Sequence, residues 1–209
     1  MMDTTKFLLF VGVCWALIIA PGPDMLYVIT RGVSQGRKAG ILSAVGVICG
    51  TLVHTTAAAF GLTLILQTST LAFMLIKYLG AIYLIYLGFK AWREKSMFSL
   101  DTSASNVSFR KIFWQGVLSN VLNPKVAVFF LAFLPQFVDK GSNNVTSLMV
   151  FLGLTFAFFG LCFLLVVGYS SGTIGSWLTR RPQYGQLLQR FAAGILIALG
   201  VRLALTEPG

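Results

Sequence analysis

Asp24 and Lys125 are charged residues that directly follow prolines inside apolar segments. The first stretch reads Ala20-Pro21-Gly22-Pro23-Asp24 and the second Asn120-Val121-Leu122-Asn123-Pro124-Lys125. A carboxylate can bind an ammonium group or carry a proton, and an ammonium can bind a carboxylate, so the two together match a small zwitterion. Proline in an apolar helix frees a backbone carbonyl to which lipid offers no partner. A charge beside the break makes the position costlier still. Two such breaks in corresponding positions of two halves point to a transporter binding site, where broken helix ends supply N–H groups to a carboxylate and C=O groups to an ammonium.

Around these residues stand three polar candidates. Asn120 and Asn123 lie three apart and would share a face if the helical turn persists; each could satisfy freed backbone groups or contact substrate. His54 is the single histidine and sits with Thr51 and Thr55 in an apolar segment. A proton relay is one role for it, and a quiet bond to a neighbouring helix is the commoner one. The competing explanation for Asp24 and Lys125 is a structural ion pair locking the bundle, though desolvation often cancels the gain of such pairs. Lys77 is explained by snorkelling to the interface; Gln136 with Asp139 reads as an ordinary helix end near the outer surface, with a gate as the less common alternative.

The elements that must hold these residues are membrane helices. The 209-residue chain is 56% hydrophobic and 11% charged, with a mean hydropathy of +0.83; a soluble domain carries about 25% charged residues. Six apolar segments are long enough to cross the hydrocarbon, which takes about 20 residues: about 7–30, 41–66, 71–92, 112–138, 147–168 and 188–205. The first and fourth hold the breaks at Pro21, Gly22 and Pro23 and at Pro124, and the first is read as a retained helix rather than a cleaved leader. The formal charge of +10 does not argue for nucleic acid, because the basic residues cluster in short loops between apolar segments. Arg31, Arg37 and Lys38 follow the first span. Lys90, Arg93, Lys95, Arg110 and Lys111 follow the third, and Arg180, Arg181 and Arg190 follow the fifth. That asymmetry puts the three basic loops in the cytoplasm, Trp92 and Trp114 at the cytoplasmic interface, and both termini outside. Cys14, Cys49 and Cys162 lie in separate segments with no CxxC pair, so no metal site and no cofactor is expected.

The halves resemble each other. "LIYLGFK" ends the third span and "LIALGVR" the sixth; "AFGL" in the second matches "FFGL" in the fifth; Pro23-Asp24 matches Pro124-Lys125. Three spans is an odd number, so the second half enters the membrane upside down. The expected architecture is therefore all-α and polytopic: one transmembrane domain over 1–209, built from repeat one (1–94), a cytoplasmic linker (95–110) and repeat two (111–209), as an inverted-topology pair with Pro-broken helices one and four. An inverted repeat brings Asp24 and Lys125 to one central cavity. Gly46 and Gly50 form a GxxxG that reads first as internal packing and second as a dimer face, which keeps a homo-oligomer among the expected assemblies.

On these blocks the chain resembles the LysE/RhtB amino-acid exporters. The resemblance covers nearly the whole length and rests on "APGPD" with the "RG…G…AG" loop after it, "IKYLGAIYLIYLGFKAW", and "GVLSNVLNPKVAVFFLAFLPQFV". It implies a secondary carrier that exports amino acids or small derivatives across the bacterial inner membrane by proton antiport, with lipid, protons and a small zwitterionic amino acid as its partners. The family motifs fall on Pro21, Gly22, Pro23, Asp24, Asn120, Asn123, Pro124 and Lys125. An enzyme would need a nucleophile with a base or a set of metal ligands, which the chain lacks, and no Walker motif is present. A carrier of a metal cation or another small solute is the alternative; a single core carboxylate faced by a lysine argues against it.

Overall fold

The computed structural model describes residues 3–62, 69–93, 107–138 and 144–206. Among them every regular element is helical.

Helix α1 (Thr4–Ile19) starts at Asp3, whose carboxylate accepts from the Thr5 N–H, and ends at Ala20. It stops there because a residue before proline is pushed out of the α region. Helix α2 (Pro23–Gln35) restarts the chain with proline in its first turn and Asp24 beside it, where the missing N–H costs nothing and the helix dipole favours an acid. The two meet at 48°. Gly36 then turns the chain at φ +84°, a left-handed conformation that glycine adopts without strain, and helix α3 (Arg37–Thr56) begins at once. It widens into a π-helical stretch over Ala57–Leu62. Helix α4 covers Thr70–Arg93.

The second half repeats the device. Helix α5 (Phe109–Val121) is capped by Ser108 and ends at Leu122. Helix α6 (Pro124–Phe137) restarts at 46° to it. Asn123 caps α6 by accepting from the Lys125 N–H at 3.0 Å. After one regular turn α6 widens over Phe129–Phe133 and tightens over Leu134–Phe137. Helices α7 (Val145–Tyr169), α8 (Ser171–Arg180) and α9 (Pro182–Leu205) complete the chain. Among the described residues four helices are long and apolar enough to cross a membrane, and up to six crossings result if each bent pair is one span.

The structure extends and corrects the sequence reading in three places. The last span begins at Pro182, not near 188. Between it and α7 lies α8, an additional amphipathic helix packed on α2, where a Cβ on Gly32 would collide with Ser171 Oγ. Lys77 does not snorkel: it is 2% exposed, and its ammonium donates to the Thr206 carbonyl oxygen at the end of α9. Residues 94–106, which hold most of the expected linker with Lys95, lie outside the described residues, as do Asp139 and Lys140.

Glycines set the helix spacing, as expected where lipid supplies no hydrophobic drive between helices. A Cβ on Gly46 would lie 2.3 Å from the Phe113 carbonyl oxygen, and one on Gly50 2.7 Å from the Asn120 Cβ. The GxxxG is therefore spent on internal contact between α3 and α5. Gly40 and Gly168 bring the α3 and α7 backbones together. The α4–α9 contact is isologous. A Cβ on Gly88 would meet Ile197 Cγ1 and the Ala193 carbonyl oxygen at 2.5 and 2.8 Å; one on Gly200 would meet Ile85 Cγ1 and the Ala81 carbonyl oxygen at 2.7 and 2.8 Å. Gly88 and Gly200, Ile85 and Ile197, and Ala81 and Ala193 are offset by the same number of residues. So are Lys77 and Gln189: Lys77 caps the end of α9, and the Gln189 amide donates to the Ala91 carbonyl near the end of α4.

Candidate functional site

The two breaks lie against each other. Asp24 Oδ2 accepts from Asn120 Nδ2 and from Asn123 Nδ2, both at 2.8 Å. The two amides reach one oxygen although no continuous helix joins them. The α-helix ends between them and the chain passes through a tight turn, closed by the Asn123 N–H donating to the Asn120 carbonyl at 2.9 Å. The shared face expected of an unbroken helix is thus replaced by convergence at a break. Both asparagines are buried, and Asp24 Oδ1 is buried with no donor from the protein.

Lys125 reaches the other way. Its ammonium donates to the carbonyl oxygens of Ala20 at 2.8 Å and Leu17 at 3.2 Å. These are carbonyls that the Pro21–Pro23 break leaves without helical partners, at the negative end of α1. Gly22 makes room for it: a Cβ there would lie 2.9 Å from Lys125 Nζ. The ion pair between Asp24 and Lys125 is not formed. Each charge is held by polar groups of the opposite half's break.

His54 stands one step back. Its Nε2 lies 3.0 Å from the Asn120 carbonyl oxygen, an acceptor, so this nitrogen carries the proton and donates. Its ring stacks on Phe130. Thr51 donates to Asn120 Oδ1 at 3.3 Å. His54 and Thr51 therefore fix the residue that holds Asp24.

A cavity of about 40 Å³ opens beside the two charges. Asp24, Lys125, Asn120 and Thr51 are its polar lining; α3 and α7 contribute Val47, Ile48, Phe156, Gly160 and Leu164 to its apolar lining. About 10–15 Å³ holds one water, so the space accepts a few waters, and an amino acid needs the walls to part. Among the described residues no group of three His, Cys, Asp or Glu side chains could hold a metal ion.

Two groups of contacts on the elements that carry the site differ. Between α2 and α5, Tyr27 donates to the Ile112 carbonyl at 2.6 Å and Arg31 donates to Gln115 at 2.9 Å, while Arg31 also donates to Gln35 at 3.1 Å. Arg31, which the sequence explained by loop charge alone, is thus a tie between α2 and α5. Among α1, α6 and α7, Phe10, Phe129, Phe133, Phe137 and Phe156 pack ring to ring, with centroids 4.7 Å apart for Phe129–Phe156 and 5.2 Å for Phe10–Phe137. No short motif announces this cluster, because Phe is common in any apolar segment.

A family model for LysE type translocators matches residues 15–207. The chain is 32% identical over 210 residues to the uncharacterised membrane protein YrhP of Bacillus subtilis, covering 96% of this chain and 99% of the relative. It is 27% identical over 205 residues to an uncharacterised membrane protein of Vibrio cholerae, covering 97% and 98%. A leucine efflux protein of an Enterobacter species is 26% identical over 204 residues, covering 95% of each chain. No solved structure matches the chain. With a translocator model spanning nearly all of its helices, the chain belongs to the LysE type translocator family.

Proposed function

We propose that this chain is a secondary exporter that carries small zwitterionic amino acids out of the cytoplasm of a bacterium in exchange for protons. Membership of a translocator family supports transport, and a relative named for leucine efflux supports amino-acid cargo. The observation that carries the zwitterion is a hydrogen-bond count. Asp24 has one oxygen saturated by two amides and one left bare. Lys125 has three donors, of which two are spent on carbonyls. One acceptor and one donor remain beside one cavity, which suits one ammonium and one carboxylate.

In this reading each bent pair is one crossing, giving six spans in two inverted three-helix repeats. The isologous α4–α9 contact, including the Lys77 and Gln189 caps, supports a pseudo-two-fold axis between the halves. Arg31, Arg37, Lys38, Lys90, Arg93, Arg110, Lys111, Arg180 and Arg181 lie at or beside helix ends and Arg190 two turns into α9, and in this reading the loops they flank share one face. This supports a cytoplasmic location for that face, with the termini in the periplasm. Substrate enters when the ties at Arg31 and Tyr27 open. Its ammonium takes Asp24 Oδ1, and its carboxylate takes the third donor of Lys125. After release outward, a proton on Asp24 Oδ1 replaces the ammonium and lets the empty carrier return. Exchange requires substrate and proton to favour different states of the same oxygen. His54 serves this site through Asn120. A cation carrier is disfavoured by the ammonium of Lys125 in the cavity.

The test is counterflow of labelled amino acid in liposomes containing only this protein. Saturable counterflow is expected. Asp24→Asn loses it by about a hundredfold, the scale of removing one member of a buried charged contact (about 2–5 kcal/mol), while the variant still elutes as a folded species. Undiminished counterflow by Asp24→Asn would remove the site.

A further inference from the structure

The charged side of the cavity has a counterpart that the zwitterion does not use. Apart from Asp24, Lys125, Asn120 and Thr51 the cavity lining is apolar, and on α3 and α7 this wall consists of Val47, Ile48, Phe156, Gly160 and Leu164. The α7 residues recur every fourth position and so share one helix face. No carboxylate lies on this wall. A cationic side chain placed there would be desolvated without a counter-charge, which is far costlier than burying an aliphatic one.

Gly160 is the one place on the α7 wall without a Cβ. A Cβ built there meets a single neighbour within 4 Å, Ile48 Cδ1 at 3.2 Å. The other glycines between α3 and α7 are different. Gly168 would drive a Cβ into the Gly40 backbone at 2.8 Å, and Gly153 into Thr55 at 2.4 Å. Those two are fixed by helix contact. Gly160 borders open space and the tip of a flexible side chain, so packing alone does not demand a glycine there.

We propose that this wall is the side-chain subsite of the carrier, that it takes an aliphatic side chain and rejects a cationic one, and that Gly160 with Ile48 sets its depth. The proposal rests on the zwitterion reading above and adds which amino acids satisfy it. The α-ammonium and α-carboxylate occupy Asp24 and Lys125. The side chain then points across the cavity to the Gly160–Ile48 floor once the walls part.

The experiment is counterflow in proteoliposomes with labelled alanine, leucine, phenylalanine and lysine. Wild-type protein is expected to move leucine and to move lysine at least tenfold less well. Gly160→Ala raises the floor by one methyl, and the leucine-to-alanine ratio falls about tenfold, the lower end of what one methylene is worth in an apolar pocket. Ile48→Ala lowers the floor, and the phenylalanine-to-leucine ratio rises. A merely packing role would slow every substrate alike and leave both ratios unchanged, and that result overturns the subsite. Lysine moving as well as leucine overturns it too. If the wild-type protein moves no amino acid saturably, the zwitterion reading falls and the subsite with it. If it moves alanine and leucine but both variants keep the wild-type ratios, the subsite alone falls.

Discussion

The two bent helix pairs use one device and surround it with opposite physics. At the first, the half after the break is α2, a regular amphipathic helix tied by side-chain hydrogen bonds from Tyr27, Arg31 and Gln35. At the second, the half after the break is α6, irregular in winding and packed among aromatic rings. Hydrogen bonds near a membrane surface can be exchanged for water at little net cost. Close ring contacts have no such substitute, and opening them forfeits dispersion outright. The contrast teaches where motion is cheap: parting the α2 side costs less than parting the α6 side, so in the proposed cycle inward opening is the easier half and outward opening the costlier one.

Four substitutions probe that contrast. The largest effect is expected for Phe129→Ala, which hollows the ring cluster. It should lower stability by about 3 kcal/mol, the low end for Phe→Ala because lipid rather than water surrounds the chain, read as the thermal unfolding midpoint in detergent. Next is Asn123→Leu, which strips one amide from Asp24 Oδ2 and removes the α6 cap. A loss of about 1–3 kcal/mol is expected in the same assay. Gly22→Ala comes third. Its methyl would press on Lys125 Nζ, and displacing one charge-assisted bond should raise the half-saturating amino-acid concentration about tenfold while shifting the midpoint little. The smallest stability effect belongs to Arg31→Ala, within about 1 kcal/mol, yet it should change the transport rate because it cuts the tie between α2 and α5. Equal destabilisation by Phe129→Ala and Arg31→Ala would erase the distinction between the two sides.

Much of this arrangement is legible in the chain. Proline has no N–H and a fixed φ, so Pro21, Pro23 and Pro124 locate both breaks. A charge in an apolar segment must find a polar partner, so Asp24 and Lys125 identify themselves. What they bond to is not legible. A shared cavity was expected for them, but the breaks' own polar groups hold each charge there: amides for the acid, carbonyls for the amine. Lys77 misled for a related reason. Snorkelling is a local argument, and its partner at Thr206 is distant in sequence. Helix α8 was missed because its ten residues are too few to cross a membrane and its Ser and Gly residues are poor helix formers, so a search for long apolar segments passes over it.

In the proposed site one bare carboxylate oxygen and one spare lysine donor read both ends of a zwitterion. Competition in proteoliposomes probes this with leucine, isopentylamine, which lacks the carboxylate, and 4-methylpentanoate, which lacks the ammonium. Leucine is expected to block counterflow of labelled leucine, while each single-ended analogue at equal concentration blocks at least about tenfold less well. Equal block by either analogue would show that one charge suffices and that the second contact is not part of recognition.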